Sequence, residues 1–407
     1  GENQQVLSVG FSRGHRAGCV MPESRFLFLE GHFLPGNRQK LRAHSDSLRA
    51  EIWLRRLVLR YRAINILLGN ACDRHCPYCL QTGTNVPANH PADLHGFVQK
   101  LALHLNGDFP RRIIFWGGEP MLYWKNLQTL LISFEKAGIN PLEGFFITTH
   151  GRRLTDEYVE YANSHKVWTT VSAHDWDFTD EALERIFRLD RFSISVIIEH
   201  GNIEFWDLRR RFYALEDRFG FKPRLYLHFL RANDGCAPEC YMTKADVDSL
   251  CRHLTDDVIP LALQGDDWAR WQCAQLLADR QKEVTKGAGG KCVRPDRLSI
   301  DLHGNVYECH HNFDAANVVG NLFRRTLPIT AVSETTNQRV DPDRFAKTEA
   351  CRTCGIFSEC RGGCYLSNTH DIDCYLARRM HEVYALMRLI PGVHYQQPCF
   401  RSHRRLP

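Results

Sequence analysis

The sequence has no run of apolar residues approaching the eighteen or more that a membrane-spanning helix needs, so no such span is expected. It has no internal repeat and no low-complexity stretch, and its composition excludes a disordered chain, a collagen-like repeat and a coiled coil. The N-terminus lacks the basic, apolar and small-residue succession of a secretory signal. An excess of one charge is missing too: 52 Lys and Arg against 47 Asp and Glu leave +5, too little to argue for nucleic acid. Lysine is scarce. Of the 52 basic residues 41 are Arg, a bias toward carboxylate or peptide partners, because guanidinium binds them bidentately. What remains is an ordinary globular chain of 407 residues, long enough for two or three domains.

Cysteine is the exception, with 16 residues, ten of which fall into three groups. The first is Cys72-x3-Cys76-x2-Cys79. The second is Cys292 and Cys309. The third is Cys351-x2-Cys354-x5-Cys360-x3-Cys364, with Cys374 beyond it. Close C-x2-C and C-x3-C spacings aim several sulfurs at one centre, as metals or iron–sulfur clusters require in a reducing compartment.

From residue 62 the chain alternates. Apolar runs of strand length lie at Ala63–Leu68, Arg112–Trp116, Phe145–Thr149, Val167–Ser172, Phe192–Ile198 and Arg224–Leu230. Helical patterns separate them near 92–106, 121–137, 154–164, 179–189 and 203–219, with Thr155 and Thr179 as expected N-caps. Six strands and five helices predict an α/β fold, a partial (β/α)6 parallel barrel over 62–232. The remaining expected units are an N-terminal extension (1–61), a helical bridge (233–285), a loop-rich cysteine module (286–375) opened by the linker 286–291, and a C-terminal helix and tail (376–407). In parallel barrels the loops at the C-terminal strand ends build the site. The cysteine triad follows the first strand, Gly117-Gly118-Glu119-Pro120 the second and Thr149-His150-Gly151 the third. Ser172 ends the fourth strand and Glu199-His200 follow the fifth.

Three thiolates hold three irons of a [4Fe–4S] cluster and leave the fourth open. A catalytic zinc could also use three ligands, so spacing alone does not decide. With Tyr78 before the last Cys, and with the Gly-Gly-Glu-Pro turn one unit later, the triad resembles the signature of the radical S-adenosylmethionine (SAM) superfamily. The resemblance implies that SAM chelates the open iron and is reductively cleaved to a 5′-deoxyadenosyl radical. It implies SAM contacts at Tyr78, Gly117, Gly118, Glu119 and Pro120, with the Glu119 carboxylate and turn carbonyls on the amino group. Thr149 and Ser172 stand where relatives bind SAM, although bland strand-end polar residues fit equally; His150 replaces the Asn of many relatives.

The C-terminal cysteines resemble the seven-cysteine SPASM pattern, with Gly304 allowing a tight turn between the first two ligands. The alternative is a zinc-ribbon-like module. By family analogy Cys351, Cys354, Cys360 and Cys374 hold a distal [4Fe–4S] cluster, and Cys292, Cys309 and Cys364 a proximal one. The eighth Cys of several relatives is absent, since Lys286–Lys291 occupies its place. The proximal cluster therefore has an open iron or a distant ligand such as Cys236, Cys240, Cys251 or Cys273. Cys236-x3-Cys240, just after the sixth strand, has the best claim of the remaining cysteines to an active-site place; buried or idle thiols are the default. Sulfatase-maturing members place an Asp after the Gly-x4-Cys cysteine. Here His310 stands there as candidate proton acceptor, or His310 and His311 are simply residues of a cluster loop.

The expected protein is a radical SAM oxidoreductase, a maturase of ribosomally synthesised peptides that installs a C–C, C–S or C–O macrocyclic cross-link. The alternatives are formylglycine formation, epimerisation or decarboxylation, and an iron–sulfur electron carrier. The implied partners are a precursor peptide and a flavodoxin- or ferredoxin-type electron donor, with no nucleic acid or membrane. A cytoplasmic location follows from three clusters that an oxidising compartment would destroy. Residues 1–61 carry strand-like pieces and one helix, which suits a reduced leader-peptide-binding element or a barrel plug.

Overall fold

The computed structural model describes residues 61–79, 81, 93–107, 109–173, 176–201, 205–230, 236–284, 297–307, 309, 313–324, 349–360 and 369–393. The expectations for residues 1–60, the 286–291 linker, Cys292, His310, His311, Cys364 and the C-terminal tail lie outside the described residues.

Six strands run β1 (Ala63–Leu67), β2 (Arg112–Trp116), β3 (Phe145–Thr149), β4 (Trp168–Ser172), β5 (Phe192–Ile198) and β6 (Arg224–Phe229). Helices α1 (Leu94–Leu105), α2 (Trp124–Lys136), α3 (Asp156–Ser164), α4 (Asp180–Arg188) and α5 (Phe205–Phe219) lie between them. Each strand pairs in parallel with its sequence neighbour, in the order β6-β5-β4-β3-β2-β1. This is the parallel α/β sheet of a partial barrel, as the alternation predicts.

The strands form where they do because parallel strands covered on both faces need unbroken apolar runs. β1 is buried along its whole length. β2 instead alternates, burying Ile113 and Phe115 while Arg112, Ile114 and Trp116 stay half-buried on the other face. Phe115 contacts Phe134 of α2 and Phe145 of β3 at ring separations of 6.1 Å, so its truncation would cost about 3–5 kcal/mol. Thr155 and Thr179 do cap α3 and α4, accepting from the amides of Tyr158 and Ala182.

After the barrel, Thr243 and Asp246 form a capping box for α6 (Lys244–Arg252), which continues through a π turn into α7 (Ile259–Leu263). α8 (Asp267–Val284) packs against β6. Short helices α9 (Glu349–Arg352) and α10 (Phe357–Cys360) precede α11 (His370–Met387), which packs on α6 and α8. Among the described residues no helix is long and apolar enough to cross a membrane.

The cysteine-rich region differs from its expected form. Part of it is regular: β7 (Arg297–Asp301) pairs in parallel with β1, and the antiparallel strands β8 (Asn305–Tyr307) and β9 (Val318–Asn321) extend the same sheet. Leu298, Ile300 and Val306 join the main core. The expected turn is present at Gly304, whose φ is +81° and where a Cβ would strike the Phe323 ring. Asp301 holds that turn, accepting from His303 N, Asn305 N and the Tyr307 hydroxyl.

Candidate active site

The loop carrying Cys72, Cys76 and Cys79 leaves β1 at its C-terminal end and lies directly on the turn that leaves β2. Glu119 N donates to Ala71 O at 2.8 Å, and Gly118 N donates to Gln81 Oε1 at 2.7 Å. Both glycines are required. Gly117 and Gly118 have φ of +104° and +51°, and a Cβ at Gly118 would sit 2.1 Å from Ala71 O. From below, the Tyr123 hydroxyl accepts from Ala71 N at 2.6 Å. Backbone thus meets backbone where the cysteine loop begins, an approach side chains would prevent. Within the loop, Cys79 N donates to Cys76 O, and Arg74 N lies 3.4 Å from Cys72 Sγ.

Glu119 is the centre of the polar contacts at this mouth. It is 1% exposed, and its Oε1 accepts from Met121 N at 3.0 Å and from Thr149 Oγ1 at 2.6 Å. Its Oε2 accepts from His150 N at 2.9 Å. Pro120 begins the short 3-10 turn that Glu119 caps. The carboxylate therefore faces into the fold and joins the ends of β2 and β3, with three donors already on it. His150 lies beside it, its Nε2 2.8 Å from Asp73 Oδ1 in the cysteine loop. Burial tends to raise the Asp73 carboxyl, but hydrogen bonds from Arg153 and His150 outweigh that and bring it down to about 2.

Tyr78 is buried against Cys236, Cys240 and the flanking residues Cys76, Ile197 and Leu230. Cys236 Sγ donates to Tyr78 O at 3.3 Å, and Ala237 N donates to Pro77 O at 2.7 Å. The Cys236–Cys240 segment thus packs behind the triad loop. Burial, then the Glu199 carboxylate hydrogen-bonded to it, pushes the Cys240 thiol up to about 11. Cys251 and Cys273, the other two candidate distant ligands, are packed in the main apolar core on α6 and α8. The last strand positions are plainer: Thr149 is buried at the end of β3, and Ser172 is half-buried at the end of β4.

Cys309 is buried beside a small apolar group of its own. Tyr307 and Phe313, either side of it in sequence, pack with Leu67 and Trp116 at the ends of β1 and β2. This places Tyr307 and Phe313 at the ends of the two strands from which the triad loop and the Gly-Gly-Glu-Pro turn depart. Cys351, Cys354, Cys360 and Cys374 come together around one small cavity. Ala350, Ile356, Phe357, His370 and Arg378 complete its wall. α9, α10 and α11 thus each present thiols to one space. None of the twelve described cysteines forms a disulfide. Among the described residues no three His, Cys, Asp or Glu side chains are placed to hold a single metal ion. A zinc ion draws its sulfurs to within about 4 Å of one another, whereas a four-iron cluster is a body that thiols surround. Thiols are the donors that such a cluster takes, and four of them line this one space.

Comparison with protein-family models matches residues 66–220 to the radical SAM superfamily. No curated protein matches the chain. Among solved structures, anSMEcpe with bound AdoMet superposes with a TM-score of 0.61 at 16% identity, over 83% of this chain and 97% of that one. Streptococcus suis SuiB bound to S-adenosylmethionine gives 0.52 at 15% identity, over 83% and 80%. SuiB bound to precursor peptide SuiA gives 0.52 at 16% identity, over 81% and 76%. These likenesses are likenesses of fold, reaching past β6 into the C-terminal region. The segment that holds the cysteine triad on the Gly-Gly-Glu-Pro turn is a radical SAM domain.

Proposed function

We propose that this chain is a radical SAM maturase that modifies a ribosomal precursor peptide and installs a macrocyclic cross-link. The observation that carries the reading is the backbone contact between Ala71 and Glu119, which seats a three-thiol loop on the turn beside it. On this reading Cys72, Cys76 and Cys79 in that loop would hold a [4Fe–4S] cluster with one iron free for SAM. When bound, the two supply a 5′-deoxyadenosyl radical, the hydrogen-abstracting agent.

The chain's own residues orient that chemistry and keep water away from it. The Gly117–Gly118 cradle, which a Cβ would fill, lets a ligand approach the backbone beside the triad. Since Glu119 already accepts three hydrogen bonds, the turn's carbonyls are the natural acceptors for the SAM amino group. Thr149 and Ser172, at the ends of β3 and β4, complete the contacts, and Tyr78 closes the triad loop from behind. Cys351, Cys354, Cys360 and Cys374 would hold a distal cluster in their cavity. Cys309, with Cys292 and Cys364, would hold a proximal one, and His310 would take the proton lost on cross-linking. A flavodoxin- or ferredoxin-type protein would supply electrons.

A peptide substrate is supported by two fold neighbours whose structures contain peptides, anSMEcpe with Cp18Cys peptide and SuiB with SuiA. Arg-rich composition suits the same partner. The test is mass spectrometry of a candidate precursor peptide co-expressed with this chain. Loss of two hydrogens is expected. Loss of carbon dioxide, or inversion at unchanged mass, would replace cross-linking by decarboxylation or epimerisation. SAM cleavage that survives replacement of Cys72, Cys76 and Cys79 by Ala would overturn the reading itself.

A further inference from the structure

Two residues inside the cysteine loop, Asp73 and Arg74, face away from any role as ligands and toward the end of β3 and the loop after β4. Asp73 Oδ1 lies 2.8 Å from His150 Nε2, and Asp73 Oδ2 accepts from Arg153 Nε at 2.6 Å. Arg74 Nη1 lies 3.6 Å from Asp177 Oδ1, and Arg152 pairs with the same Asp177. The loop that must hold a cluster is thus joined by alternating charges to residues 150–153 and 177.

His150 is the inner member of this set, its side chain 6% exposed. Its Nδ1 accepts from Arg152 N at 3.2 Å, so the ring proton resides on Nε2. That proton is donated to Asp73, while Glu119 Oε2 stands 3.2 Å from the same nitrogen. The His150 amide meanwhile donates to Glu119 Oε2. One residue therefore touches the cysteine loop with its ring and the Gly-Gly-Glu-Pro turn with its backbone. An Asn side chain, shorter by the breadth of a ring, places its amide near Nδ1 and leaves Asp73 out of reach.

We propose that His150 is a positioning residue that, through Asp73 and Glu119, fixes the cysteine loop on the Gly-Gly-Glu-Pro turn and so sets the loop geometry for SAM. The inference rests on the radical SAM reading of Cys72, Cys76 and Cys79. It goes beyond that reading in giving a task to residues that touch neither ligand.

The test uses the anaerobically reconstituted full chain, the single variants His150→Leu, His150→Gln and Asp73→Ala, and the double variant His150→Leu/Asp73→Ala. Two readouts are taken: amide hydrogen exchange across residues 70–79, and SAM titration followed by the electron paramagnetic resonance of the reduced cluster. His150→Leu should speed exchange in the loop and raise half-saturation by SAM, each by about tenfold, as losing a hydrogen bond to a charged partner does. His150→Gln, whose amide nitrogen falls near Nε2, should stay within about twofold of the natural chain. Asp73→Ala, which removes the acceptor, should resemble His150→Leu, and the double variant should be no worse than Asp73→Ala alone. Should His150→Leu fail to fold, Asp73→Ala carries the test, because the Asp73 side chain is one-third exposed. Natural exchange and natural SAM titration in His150→Leu and Asp73→Ala, or strictly additive effects in the double variant, would overturn the proposal. Failure of the natural chain to respond to SAM would instead strike the functional reading, and the exchange measurement would still report on His150.

Discussion

Thr149 Oγ1 donates to Glu119 Oε1 across 2.6 Å, so the end of β3 holds the turn that follows β2. Both residues are almost wholly shielded from water, which makes the bond expensive to lose. Thr149→Val keeps the shape and removes the donor, and should lower unfolding stability by about 1–3 kcal/mol in denaturant titration. Thr149→Ser should restore most of it. Equal midpoints for Val and the natural chain would show that Glu119 does not depend on this donor.

Gly118→Ala should be worse than its size suggests. The new methyl would meet Ala71 O at 2.1 Å, and the residue would also have to keep a φ of +51°. Strain of that kind costs on the order of 1–3 kcal/mol before the clash is added. The expected result is a folded barrel with reduced iron at the triad, measured as iron per chain and as SAM cleavage. Full iron and natural cleavage would mean that the two loops can separate without harm.

Removing Cys351 or Cys374 should empty one cluster and leave the others. Both residues border the same cavity, so each single change and the double change should lower iron by the same roughly four atoms per chain. Uncoupled SAM cleavage should persist in all three. A double variant that loses twice the iron of either single one would show that the two thiols serve different centres.

The thiols of Cys251 and Cys273 give a pH dependence of known sign. Burial pushes Cys251 up to about 11 and Cys273 up to about 12, whereas unfolded thiols titrate near about 8.5. Raised folded values mean that their contribution is complete below the unfolded value and declines as pH climbs toward the folded ones. Thermal stability of the natural chain should therefore fall more steeply between pH 8 and 10 than that of Cys251→Ala/Cys273→Ala. At pH 8 both thiols should resist alkylation until the chain is denatured. Parallel pH profiles for the two proteins would contradict this.

Much of the barrel could be read from the chain because parallel strands leave a simple trace. Buried runs such as Ala63–Leu67 and Phe192–Ile198 stand out between polar loops, and the caps at Thr155 and Thr179 carry local chemistry. β7 leaves no such trace, since Arg297–Asp301 carries only two apolar residues, Leu298 and Ile300, and acquires its meaning only from β1 beside it. Within the expected helical bridge the bounds of α8 are harder to read: Gln272 and Gln275 are buried among its apolar residues, which blurs the stripe that marks a helix. The cavity cysteines were legible from spacing because most lie within ten residues of one another. The pairing of Asp73 with His150 was not, because 77 positions separate them and nothing local marks either. The inward direction of Glu119 was also hidden, since the same motif is compatible with a carboxylate pointing at a ligand.

The parallel pairing of β1 with β7 has a consequence for synthesis. Ala63 finds its partner Arg297 only after 234 further residues have been joined. At about 5–20 residues per second a ribosome needs roughly 12–47 s for that interval. Throughout it, one edge of β1 lacks the strand that pairs with it in the finished sheet, and such an edge invites pairing with other nascent chains. Folding by growth from β2 toward β6 can begin early, but sealing the sheet waits for the far end of the chain. Production of this protein should accordingly be sensitive to chaperone supply and to slowed translation upstream of residue 297.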